Sequence, residues 1–340
     1  MNSARFNAIV GRYAVLRLAV LGDFCLDRYL EIDPARQETS LETGLPVHNV
    51  VNVRAQAGAA GTIVNNLSAL GVGAIFPIGF AGEDGEGFEL QQALERRPGV
   101  QLETFVRTVQ RRTFTYCKPL VVAPSQAPVE LNRLDLKNWT PTPALLRGLL
   151  ASRLKGIAGE INALIILDQA PVPETGVVTP RVLETVKDLA QQRPDLVILA
   201  DSRRGLRGFP PVTFKMNAAE LAALIGTTGE LSLEQIKQAA ADLARQNGRR
   251  VFVTLAERGI VGAAPGGEVE HVSALPRRGP IDIVGAGDAV TANLAAALAA
   301  GADLREALEM ANAAASVVIH QLGTTGTADV PDIRERLALS

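Results

Sequence analysis

The chain has 340 residues, 47% hydrophobic, 21% charged and 4% aromatic, with 34 Lys and Arg against 36 Asp and Glu for a net charge of −2. That balance excludes a disordered, collagenous or disulfide-stapled chain, and it offers neither a basic face for nucleic acid nor an aromatic platform for bases. Two cysteines (Cys25, Cys117) and three histidines (His48, His271, His320) exclude a Cys- or His-rich metal cluster and suit a reducing compartment. No apolar run approaches the roughly 20 residues that span a bilayer. Arg5, Arg12 and Arg17 interrupt the N-terminus where a signal peptide would be apolar, so the expectation is a cytoplasmic protein with no membrane contact.

In chain order, residues 17–22 (RLAVLG) predict a buried strand ending in Gly. Residues 28–56 alternate polar and apolar and carry Pro34 and Pro46, as exposed sheet or loop would. Residues 58–70 predict a helix opened by small residues, 74–79 a strand and 87–94 a helix. Residues 103–136 alternate again, and the two alternating stretches suit a small separate sheet. From residue 140 the rhythm is regular. Strands are predicted over 163–167, 196–200, 214–216 and 250–255, and helices over 181–192, 233–247, 288–300 and 304–318. Strands alternating with helices of this length imply a parallel sheet covered on both faces.

The sharpest local feature is Asp282-Ile283-Val284-Gly285-Ala286-Gly287-Asp288 ahead of an apolar helix. Glycine turns at a helix start present N–H groups and a positive helix end, which together suit a phosphoryl group. Asp288 beside such a hole is placed to accept a proton from an attacking hydroxyl. A glycine turn with Asp as N-cap is the plain alternative. No Gly-Lys pair exists for a Walker A loop, and Gly22-Asp23-Phe24-Cys25-Leu26-Asp27 is not a dinucleotide-binding glycine motif. Asn217 and Glu220 suit either a hydrated Mg²⁺ near phosphates or a helix-capping box. Asp23 and Asp27 follow the first strand, where α/β sheets bind ligands, although turn chemistry or a pair with Arg28 fits them as well. Gly58-Ala59-Ala60-Gly61-Thr62 allows close approach of a ligand or plain helix packing.

In this order the pieces resemble the ribokinase-like, or PfkB, carbohydrate kinases over nearly the whole chain. The late D-T-x-G-A-G-D signature corresponds to residues 282–288, the early G-G-x-x-N signature to residues 58–62, and N-x-x-E to Asn217 and Glu220. Residues 254–259 (TLAERG) resemble the strand and turn along the nucleotide phosphates. Within the family the sequence is most similar to D-glycero-β-D-manno-heptose 7-phosphate kinases, through Gly22-Asp23, Leu26-Asp27-Arg28-Tyr29, Arg133-Leu134-Asp135, Ala311-Asn312-Ala313-Ala314-Ala315 and Leu322-Gly323-Thr324. The resemblance implies a doubly wound three-layer αβα domain over residues 1–340. It also implies a small β lid inserted at about 28–56 and 103–136, pairing two subunits as a homodimer. The implied activity is ATP-dependent phosphorylation of a sugar or sugar-phosphate hydroxyl.

Asp288 would be the general base, and Gly285, Ala286 and Gly287 would supply the anion hole. Asp23, Asp27, Gly58, Ala59, Thr62 and Asp168 would face the sugar. Thr254, Ala256, Gly259 and Asn312 would line the ATP site, while Asn217 and Glu220 organise Mg²⁺ and phosphates. A potassium ion would rest on Asp282 and on backbone near Val284, Val318, Gln321, Gly323 and Thr327. The sequence departs from the family at Ile283, Ala59 and Thr62, and it lacks the lysines expected after Asp168 and near Tyr116. Arg112, Lys118, Arg133, Arg203 and Arg204 are candidate replacements. A non-catalytic sugar or nucleotide sensor and a nucleoside kinase are the competing functions; Tyr29 is the one aromatic in 28–56 for a base to stack on.

Overall fold

In the strand Arg17–Gly22, Leu18 and Val20 face one side while Ala19 and Leu21 face the other, and all four are fully buried. Such a strand must be covered on both faces. Leu18 and Val20 join a core with Ile63, Leu67, Leu294 and Leu308, from the helices Ala60–Ala69, Ala286–Ala299 and Leu304–Val318. Ala19 and Leu21 join a second core with Leu150, Val186 and Ile236, from Ala144–Ile157, Pro180–Gln192 and Leu233–Asn247. The result is a three-layer αβα arrangement. The computed structural model describes residues 1–123 and 128–339; positions 124–127 of the expected lid stretch, and residue 340 of the expected domain, lie outside the described residues.

The main sheet has eight strands in the order Val269–Val272, Ile260–Ala263, Val251–Thr254, Thr213–Asn217, Val197–Ser202, Ala163–Asp168, Arg17–Gly22, Ala74–Ile78. Six are parallel. The expectation of a wholly parallel sheet is corrected at one edge, where Ile260–Ala263 and Val269–Val272 run antiparallel. Their link is a short turn rather than a helix, and antiparallel neighbours need no crossover. From Arg17–Gly22 the chain steps to the Ala74–Ile78 side first and to the Ala163–Asp168 side later. The strand order therefore reverses beside Arg17–Gly22, and ligands gather at the carboxyl ends there.

A second sheet stands beyond that edge. Phe24–Ile32 pairs antiparallel with Val50–Ala59 and parallel with Phe114–Val121, which in turn pairs with Leu134–Leu136 and Val129–Glu130. Its strands begin at Phe24, earlier than the alternation suggested, because Asp23 alone separates the two sheets. Within 103–136, Val106–Thr108 does not join it; that strand pairs with Phe80–Gly82. Among the described residues no helix is long and apolar enough to cross a membrane.

Candidate active site

Gly285 caps the helix Ala286–Ala299 at φ 82°, a left-handed conformation that glycine adopts freely, and no side chain caps this helix start. The N–H groups of Gly285, Gly287 and Asp288 therefore lack an acceptor among the described residues and sit at the helix's positive end, where an anion would complete them. Ala286 differs from expectation. Its N–H turns back onto the Ile283 carbonyl (3.3 Å), so the hole is built by its neighbours.

Asp288 sits in the first turn, and its carboxylate accepts no hydrogen bond from any described residue. The N-cap alternative is thereby removed. Burial, then the Asp201 charge, push its pKa up to about 7, with Lys215 opposing and Asp27 adding to the rise. Beneath Gly287, the buried Lys215 ammonium donates to Asp201 Oδ2 at 2.7 Å, and Thr291 Oγ1 donates to the same oxygen at 3.1 Å. Burial works against the Lys215 charge, but Asp201 outweighs it and holds the ammonium above its ordinary range.

Asp27 faces this centre from the second sheet, 5% exposed, with its Oδ1 3.5 Å from Lys118 Nζ. Burial raises its pKa and Lys118 opposes the rise. A Cβ at Gly58, across the register near Asp27, would collide with the Asp27 carboxylate, so only glycine leaves it room. Ala59 takes φ 52° and ψ −119° at the start of the helix Ala60–Ala69. Thr62 is fully buried, and its Oγ1 has no hydrogen-bond partner.

Two residues expected to face a sugar are engaged elsewhere. Asp23 accepts three backbone N–H groups, from Gln169 (2.8 Å), Ala170 (2.7 Å) and Val177 (2.7 Å). It fixes the loop after the strand Ala163–Asp168 with bonds to both of its oxygens, although burial and the nearby Asp168 charge lift its pKa to about 6. Asp168 accepts from Ser202 Oγ (2.8 Å) and from Arg204 (2.8 Å), which anchors the turn carrying Arg203. Both engagements have one cause: charged groups buried under a sheet edge must find partners.

On the other side of the hole, Asn217 Oδ1 accepts from Glu220 N (2.9 Å) and Glu220 Oε2 from Asn217 N (2.7 Å), so the capping box forms. It leaves Glu220 Oε1 and the Asn217 amide nitrogen without a partner among the described residues. Burial raises the Glu220 pKa. Thr254 lies opposite Asn217 in register. Ala256, at φ 52°, begins the turn that Leu255 N closes on the Gly259 carbonyl at 2.8 Å. Gly259 adjoins Ser273 by register, and Asn312 donates to the Ser273 carbonyl at 2.8 Å. The structure thus brings Asn217, Glu220, Thr254, Ala256, Gly259 and Asn312 to one stretch of the sheet's carboxyl edge.

Asp282 Oδ1 accepts from Val284 N (3.0 Å) and Oδ2 from Gly323 N (3.3 Å), while Asp282 N donates to Ile319 O (2.8 Å). Gln321 holds Thr327 through both ends of its amide (2.7 and 3.0 Å), so the Thr327 carbonyl is already bonded. Among the described residues no group of three His, Cys, Asp or Glu side chains is placed around a metal ion. One carboxylate amid backbone carbonyls is an all-oxygen set, which suits a hard cation.

Residues 163–331 match the sequence profile of the pfkB family carbohydrate kinases. The chain carries a PfkB carbohydrate kinase domain. It is 29% identical over 96% of its length to the bifunctional protein HldE of Granulibacter bethesdensis, of which it spans 65%. The fold is ribokinase-like. Ribokinase of Arabidopsis thaliana, solved with ribose and ATP, superposes with a TM-score of 0.66 at 21% identity, over 96% of this chain and 99% of that one. Phosphofructokinase-2 of Escherichia coli, solved with potassium, superposes at 0.70 and 19% identity, over 95% and 98%.

Lys215 and Asp201 of this kinase domain escaped the sequence reading. Their signal is a charge inside each of two apolar strands, VILADS and TFKMN, that lie side by side. Of the candidate replacement cations, Lys118 is taken by Asp27 and Tyr29, Arg204 by Asp168, and Arg112 lies beside Asp84. Arg133 and Lys137 ride over the Tyr116 ring at 5.0 and 5.7 Å and share Asp135. Arg203 is exposed, has no ion-pair partner among the described residues, and its charge acts on Tyr116, Glu220 and Asp288.

Proposed function

We propose that this chain is an ATP-dependent kinase that phosphorylates a hydroxyl of a sugar or sugar phosphate, with Asp288 as the general base. The observation that carries the proposal is the Asp288 carboxylate, bare of hydrogen bonds, beside three unsatisfied N–H groups at a helix start. The acceptor hydroxyl lies between Asp27 and Asp288. Asp288 takes its proton as the oxygen attacks the γ-phosphorus, and the amides of Gly285, Gly287 and Asp288 stabilise the charge on the moving phosphoryl group. Lys215, held by Asp201 beneath Gly287, adds a fixed positive charge on that side. Glu220 and Asn217 would hold the Mg²⁺ hydration shell; when bound, that ion neutralises phosphate charge. Thr254, Ala256, Gly259 and Asn312 line the nucleotide side.

The cations that face the site favour an acceptor that already carries a phosphate, of the heptose 7-phosphate kind. Arg203 has no ion-pair partner among the described residues, and Arg133 and Lys137 crowd one tyrosine. A nucleoside is disfavoured because Arg54 and Lys118 lie over the Tyr29 ring at 4.7 and 4.8 Å, where a base would stack. We further propose that the second sheet acts as a lid and pairs two chains. The experiment is an ADP-release screen over sugars and sugar phosphates, heptose 7-phosphate included, run beside Asp288→Asn. Turnover on the acceptor found should fall about 10² to 10⁴-fold in the variant. Near wild-type turnover in a folded, ATP-binding Asp288→Asn protein would sink the mechanism, and ATP binding without turnover on any acceptor would favour the sensor.

Potassium on Asp282 and the carbonyls near Val284, Val318, Gln321, Gly323 and Thr327, where a bonded carbonyl still has a second lone pair, would stiffen the anion hole without touching substrate. K⁺ should therefore raise turnover above that in Na⁺ or choline. Equal rates in the three salts remove the ion and leave the kinase untouched.

A further inference from the structure

Gln56 lies on the site-facing side of Val50–Ala59, opposite Asp27 in register. Both ends of its amide are engaged by the loop on the far side of the site: Nε2 donates to Thr325 Oγ1 at 2.5 Å, and Oε1 accepts from Thr324 Oγ1 at 3.1 Å. Thr325 in turn packs against Gly285, the residue that opens the anion hole; a Cβ there would lie 3.3 Å from the Thr325 Cβ. On its other side Gln56 Nε2 reaches Tyr29 Oη (3.4 Å), which Lys118 also approaches (3.3 Å), and Lys118 pairs with Asp27. A continuous polar path therefore runs from Asp27 through Lys118, Tyr29 and Gln56 to Thr325, which packs on Gly285 through its carbon atoms. The loop that carries Thr325 is tied down at three other points. Gln321 staples Thr327, Asp282 holds Gly323, and Asn66 donates to the Gly326 carbonyl at 3.4 Å.

We propose that Gln56 is a positioning residue that couples the second sheet to the anion hole, so that a nucleotide seated in the hole fixes the sheet carrying Asp27. This rests on the kinase function proposed above. A pair of hydroxyls grips one amide from both ends, and that grip is specific to one relative placement of sheet and loop. Phosphate in the hole orders Gly285; Thr325 follows because it touches Gly285; Val50–Ala59 follows because Gln56 is bonded to Thr325. No other side-chain hydrogen bond or ion pair joins Val50–Ala59 to residues 282–327 among the described residues.

The test is amide hydrogen exchange with and without ADP and Mg²⁺. In the wild type, ADP should slow exchange at 285–288 and also, by about fivefold or more, across 50–59. In Gln56→Leu, which keeps the size but not the polar ends, the slowing at 285–288 and the ADP affinity should persist while that at 50–59 disappears. The double variant Thr324→Val, Thr325→Val, which removes both hydroxyls from the Gln56 amide and keeps the packing on Gly285, should behave like Gln56→Leu. Gln56→Glu should retain the effect, because both threonine hydroxyls can donate to a carboxylate. Slowing at 50–59 that survives Gln56→Leu or the double variant, or that never occurs in a wild type whose 285–288 amides do respond, overturns the coupling. If ADP slows nothing at 285–288, the nucleotide site itself is wrong, and the coupling falls with it.

Discussion

Asp288 is half protonated near neutrality, since burial and the Asp201 charge push its pKa up to about 7. A general base must be deprotonated, so kcat/KM for the acceptor should climb with pH through about 7 and level off above it. The effect on stability has the opposite direction. Between the ordinary carboxylate range and pH 7 the folded chain holds a proton that the unfolded chain has released, so stability falls as pH rises across that window. Asp23, lifted to about 6, contributes in the same sense. Asp288→Asn should remove the Asp288 share alone, melting higher than wild type at pH 8 and about equal at pH 4 while losing turnover. A kcat/KM profile flat from pH 5 to 9, or a variant less stable at pH 8, would contradict this assignment. Asp288 was legible in the sequence because glycines flank it in a short motif. Lys215, Asp201 and Gln56 were not, because each acquires its role from a partner brought close only by the sheets.

Elements with strong local signals were read nearly to the residue. Leu233–Asn247 and Leu304–Val318 start at capping boxes on Ser232 and Asp303, and local chemistry of that kind is visible in any context. The antiparallel edge and the helix Ser3–Val10 were missed, because pairing direction depends on distant strands and Ser3–Val10 is held by Phe6 and Ile9 in the tertiary core. The junction of Val50–Ala59 with Ala60–Ala69 carries a strained residue. Ala59 has φ 52° and ψ −119°, a conformation that glycine adopts freely and alanine only under strain, where the family signature has glycine. Strain of this kind costs about 1–3 kcal/mol. Ala59→Gly should therefore stabilise the protein by about 1 kcal/mol after the entropy of the unfolded glycine is subtracted. The check is the urea midpoint, which should rise at unchanged slope. A lower midpoint would mean that the Ala59 methyl contributes more by packing than its backbone loses.

For the molecule as a whole, the second sheet poses a question of solvent. Its period-two alternation sends Asp27, Tyr29, Arg54, Gln56, Tyr116 and Lys118 to the face that meets the site. The opposite face carries Leu30, Val51, Val53, Pro119 and Leu134, with Val51, Val53 and Leu134 at 50%, 51% and 62% exposure. An apolar outer face is the reverse of what a free sheet presents to water. Val50–Ala59 is also an edge strand with an unpaired side. A second copy of the same face satisfies both, since a two-fold axis matches like patch to like patch. Sedimentation at micromolar concentration should therefore give twice the 35.9 kDa chain mass. Val53→Lys places a charge at the middle of the apolar face without touching the site face, so it should yield the single-chain mass while ADP binding is retained. A wild type that sediments as one chain would leave the apolar face without this partner. A Val53→Lys protein that remains a dimer would move the interface away from the lid.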